Sequence, residues 1–79
     1  MDIRKEVKVF SIAMEQVLKL HDNKPHWTDA DNSYLLYRLK QEVKELEAAL
    51  INGVSKEIKY EAVDVANFAM MLFDNHKEE

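Results

Sequence analysis

The stretch at residues 60–73, YEAVDVANFAMMLF, constrains this chain more than any other. It is apolar on nearly every side, with three polar exceptions, Glu61, Asp64 and Asn67. Their i, i+3, i+6 spacing makes a slowly drifting row along a helix that turns about 100° per residue. On a helical wheel Glu61 falls between Phe68 and Leu72, and Asp64 lies beside Met71. A helix apolar all round is normally buried. Two carboxylates buried with it are costly unless a cation, a basic partner or a proton compensates them. The remainder of the chain has to supply the covering surface and the compensation.

With 79 residues the chain is one small domain, 1–79. Chains of this size often depend on metals, disulfides or oligomerisation. There is no cysteine, which excludes disulfides and thiolate metal sites. One Gly and one Pro, among many Leu, Ala, Glu and Lys, point to an all-α fold. The N-terminus is charged rather than signal-like, and no apolar run nears the roughly 20 residues that span a bilayer. These features fit a cytoplasmic protein without a membrane partner. The net charge of −4 argues against binding a nucleic-acid polymer through its phosphates.

The pattern predicts three helices, over about 2–21, 31–52 and 55–76, with a charged tail at 77–79. Asp2 is a candidate N-cap for the first, and Asp22-Asn23 its stop. A connector over 21–28 contains Pro25, which disfavours helix for Lys24. It also carries the only Trp, Trp27, beside His26. Thr28 and Asp31 are candidate caps for the second helix, whose expected apolar stripe is Leu35, Leu36, Leu39, Val43, Leu46 and Leu50. Gly53 suits a left-handed residue after that helix, and Ser55 a cap for the third. The short link makes the second and third helices an antiparallel hairpin.

That hairpin brings two carboxylate pairs together. Glu42 and Glu45 are i, i+3 on the second helix; Glu61 and Asp64 are i, i+3 on the third. Glu45 and Glu61 stand at equal distances either side of Gly53, so they share a height in the bundle. An E-x-x-E pair alone is usually a solvated face. Two such pairs on facing helices, one of them in an apolar setting, concentrate like charge at a cost that a hard divalent cation relieves. Oxygen-only ligation suits Mg²⁺ or Mn²⁺. A metal-polarised water then becomes a nucleophile, and hydrolysis of a phosphoanhydride fits. A di-iron bundle would want Glu-x-x-His pairs, which are absent.

Residues 41–50, QEVKELEAAL, followed by residues 61–68, EAVDVANF, resemble the MazG-like all-α nucleoside triphosphate pyrophosphohydrolases. The signature of that family is E-x-x-E, a variable spacer, then E-x-x-D, and the resemblance covers roughly residues 34–72. It implies Mg²⁺-dependent cleavage of a nucleoside triphosphate to monophosphate and pyrophosphate, in a house-cleaning role. It also implies Glu42, Glu45, Glu61 and Asp64 as metal ligands, with Glu42 or Glu45 orienting the attacking water, and Asn67 facing the nucleotide. Family members are homo-oligomers, dimers or tetramers, of helical bundles.

Trp27 is a candidate for stacking on a base, against a role in closing the end of the bundle. His26 could meet base or phosphate, or be an ordinary loop residue. Lys24 and Arg38 are candidates for the phosphates. The rival reading is a non-catalytic helical interaction or regulatory module, whose acidic row pairs with a basic partner.

Overall fold

The structure, a computed structural model, describes residues 1–76; the tail expected at 77–79 lies outside them. Three α-helices and one 3-10 turn account for its regular structure, with no strand among the described residues. Helix α1 spans Lys5–Lys19, α2 Asn32–Asn52 and α3 Ser55–Asn75, and the 3-10 turn is Trp27–Asp29. Helix α3 is the centre: it packs along α2 on one side and against α1 on the other, while α1 and α2 do not approach each other. Centrality explains why α3 is apolar nearly all round.

The helix ends follow backbone needs more than side-chain caps. Residues 1–12 are all exposed, so no tertiary packing rewards helix at 2–4. The start therefore moves from Asp2 to Arg4, whose carbonyl accepts from the N–H groups of Val7 and Lys8. At the other end α1 tightens into i→i−3 bonds at Leu20, His21 and Asp22. Asp31 takes the N-cap position of α2 by its extended backbone, without a side-chain cap bond. Thr28 instead bonds His26 within the 3-10 turn.

Gly53 meets its expectation. At φ 76° it is left-handed, and its N–H donates to the Ala49 carbonyl at 2.9 Å. Only Val54 then separates it from α3. Val54 holds the extended N-cap conformation, so Ser55 is already helical and is not the cap.

The stripe expected on α2 is split by the packing. Helix α3 covers the side bearing Leu35, Glu42 and Ala49, all buried. Leu39 and Leu46 are half-covered, whereas Leu36, Val43 and Leu50 face outward. Among the described residues Leu35, Ala49 and Val63 are the only buried apolar ones, and Glu42 and Asn67 are buried with them. The radius of gyration is 13.5 Å, against about 12 Å for a compact domain of this length.

Candidate metal and ligand site

The hairpin delivers three of the four expected carboxylates to one point. One oxygen each from Glu42, Glu45 and Glu61 lie within 4.8 Å of one another. Glu42 is on α2 with Glu45 three residues on, and Glu61 faces them from the first turns of α3. Asp64 stands outside this trio, one turn further along α3, where it lines an adjoining cleft. It still acts on the trio through its charge.

The electrostatics are those of crowded acids. Burial is the first cause that raises the Glu42 carboxyl, to about 7. The hydrogen bond that protonated Glu42 donates to the Glu45 carboxylate, and the charges of Glu45 and Asp64, add to it, against relief from Arg38. Glu61 and Asp64 are also raised, by burial first and then by the Glu45 charge. The Tyr60 phenol is raised as well, mainly by Asp64. Arg38 meets Glu42 through Nη2 to Oε1 at 3.0 Å, and its guanidinium lies 5.1 Å from the centre of the Phe68 ring. The second oxygens of Glu42 and Glu61 are buried without a hydrogen-bond partner. Such orphaned acceptors cost stability until something binds them.

Beside the carboxylates opens a cleft of about 470 Å³ between the α1 end, the connector, α2 and α3. Every residue singled out as a candidate for substrate lines it: Lys24, His26, Trp27, Arg38 and Asn67. Comparison of the chain with protein-family models, with curated proteins and with solved structures gives no match. What the site can do therefore rests on its own geometry.

Asn67 is buried, and its Nδ2 donates to the Met14 carbonyl of α1 at 3.3 Å. That leaves its Oδ1 buried without a partner. Trp27 is tied at its edge: Nε1 donates to Asp74 at 3.0 Å, and Asn75 donates to the Trp27 carbonyl. The His26 ring stacks on the indole, with centroids 4.0 Å apart. Trp27 thus closes the end of the bundle and walls the cleft at once.

Three features escaped the sequence reading. His21 lines the cleft and lowers Asp64 by its charge. Arg38, singled out for phosphate, is already engaged by Glu42; the i, i+4 spacing was the available signal. Tyr60 sits among the acids, where its spacing of four from Asp64 was the clue.

Proposed function

We propose that this chain is a Mg²⁺-dependent nucleoside triphosphate pyrophosphohydrolase of the MazG-like kind, acting on free nucleotides in the cytoplasm as house-cleaning. One observation carries the reading. Three carboxylates from facing helices converge, two of them with buried unpartnered oxygens, next to a cleft with room for a nucleotide base and sugar. An all-oxygen donor set of this charge fits a hard divalent cation, Mg²⁺ or Mn²⁺. Glu42, Glu45 and Glu61 would hold it, with Asp64 joining from α3. Bound there, the cation offsets phosphate charge and makes a bound water more acidic.

The side chains then have separate tasks. Glu42 or Glu45, whichever the cation leaves free, takes a proton from the attacking water. The water oxygen bonds to the α-phosphorus, the bond to the α,β-bridging oxygen breaks, and pyrophosphate leaves. Asn67 Oδ1 accepts from an O–H or N–H of the nucleoside. Trp27 and His26 wall the base, and Arg38 and Lys24 face the phosphates. Arg38 must leave Glu42 or share it to do so.

A second reading keeps some support: an interaction module would also present unpartnered carboxylate oxygens, for basic residues of a partner. One experiment separates the two. Pyrophosphate release is measured over a panel of ribo- and deoxynucleoside triphosphates, with Mg²⁺ and with EDTA, for the wild type and Glu61→Gln. Metal-dependent release that vanishes in the variant is expected. No release from any triphosphate by a folded protein would sink the enzymatic reading.

A further inference from the structure

A second groove, of about 520 Å³, lies between α1 and the first turns of α3. Gln16 borders it from α1, and Lys56, Glu57, Lys59, Tyr60 and Glu61 border it from α3. It adjoins the cleft beside the carboxylates, because Val17 lines both. The cleft runs beside residues 64–71 of α3 and the groove beside residues 56–63, so the two follow each other along one helix. The acids stand where they meet. Asp64 opens on the cleft, and Glu61 opens on the groove while giving an oxygen to the trio.

Positive charge is scarce in the cleft. Arg38 is held by Glu42 at 3.0 Å, and among the described residues Lys24 is the only other Lys or Arg that lines it. A triphosphate carries more negative charge than one free ammonium group offsets. The groove adds two, Lys56 and Lys59, both exposed and neither in an ion pair among the described residues. The Gln16 amide and the Tyr60 hydroxyl supply neutral donors beside them, and Glu57 opposes one of the cations.

The reaction gives the direction. In phosphoryl chemistry the attacking and leaving oxygens stand roughly in line across the phosphorus. Water is activated on α2, by Glu42 or Glu45, and Glu61 with the groove lies across from them on α3. The bond that breaks therefore points toward the groove, while the nucleoside stays in the cleft.

We propose that this groove is the subsite for the β- and γ-phosphates of the triphosphate, and for pyrophosphate once the bond to the α,β-bridging oxygen breaks, with Lys56 and Lys59 as its anchors. This subsite rests on the hydrolytic reading above and adds to it a separate place for the leaving group.

Calorimetric titration with inorganic pyrophosphate at saturating Mg²⁺ tests it, on the wild type, Lys56→Gln/Lys59→Gln and Lys40→Gln/Lys44→Gln. The last variant removes the same charge from exposed positions of α2 that border neither the cleft nor the groove. The wild type and the α2 variant should bind pyrophosphate alike. The α3 variant should bind it on the order of tenfold more weakly, and pyrophosphate should inhibit its triphosphate hydrolysis more weakly by the same factor. No pyrophosphate binding by the folded wild type overturns the subsite, and so does equal weakening in both variants or in neither. The reaction is judged separately, by release from the triphosphate panel. Release together with a pyrophosphate affinity indifferent to Lys56 and Lys59 overturns the subsite alone. Binding that depends on the two lysines, with no release from any triphosphate, upholds the subsite and sinks the hydrolytic reading.

Discussion

Glu42 concentrates the physical tension of this molecule. Its side chain is 8% exposed, it shares its surroundings with two other acids, and one oxygen has no partner. Its carboxyl is raised from 4.5 to about 7 in the fold, so between those values the folded state holds a proton that the unfolded state has released. Stability therefore falls as pH rises through that window, by a few kcal/mol at most and about 3 kcal/mol for Glu42 taken alone. The metal-free protein should melt at a higher temperature near pH 5 than near pH 8. Glu42→Gln, which cannot ionise, should flatten the dependence and raise the melting temperature at pH 8. Adding Mg²⁺ should stabilise the wild type at pH 8, and at pH 6, where Glu42 still holds its proton, it should also release protons into a weakly buffered solution. A wild type whose melting temperature climbs steadily from pH 5 to pH 8 without metal would contradict this account of Glu42.

At the scale of elements, two short connections decide where the helices go. Gly53 and Val54 alone reverse the chain between α2 and α3, and that tight link sets Glu45 and Glu61 at one height. A Cβ at Gly53 would meet nothing within 4 Å, so Gly53→Ala strains only the backbone. The cost should be about 1–2 kcal/mol, and the melting temperature should drop by several degrees, roughly 4–8 °C per kcal/mol for a domain this small. Gly53→Asn, better tolerated in the left-handed region, should lose less. Equal losses would show that something beyond backbone conformation matters there. The other connection is a strap. Trp27 fastens residues 20–31 to the end of α3 through Asp74 and Asn75. Trp27→Phe keeps the ring but loses the indole bond, and should cost about 1 kcal/mol in thermal unfolding; no loss would show that the Asp74 bond contributes nothing to the strap.

The whole molecule is open for its length. Helix α1 touches only the far side of α3, large aliphatic residues face outward on α1 and α2, and the radius of gyration exceeds that of a compact domain. Were a second copy to complete the fold, stability would be tied to protein concentration. The melting temperature should rise by a few degrees as the protein is concentrated a hundredfold, and thermal scans across that range measure it directly. A constant value would mean the three helices stand alone.

The sequence by itself determined the helices, the Gly53 turn and the meeting of Glu42, Glu45 and Glu61. Those follow from local rules: propensity, the left-handed freedom of glycine, and equal counting from a tight link. Caps were less legible, because Asp2 and Ser55 have the right chemistry but the backbone turns elsewhere. Only the tertiary structure decided which side of α2 is inside. Leu35 and Leu36 are equally apolar neighbours, yet one is buried and the other faces out, because the angle at which α3 docks is set by packing and not by either residue. The same packing placed Asp64 in the cleft rather than in the trio, paired Arg38 with Glu42, and brought Trp27 to Asp74 across 47 residues of chain. Such contacts depend on how three helices share one small core, and no window of the sequence contains that information.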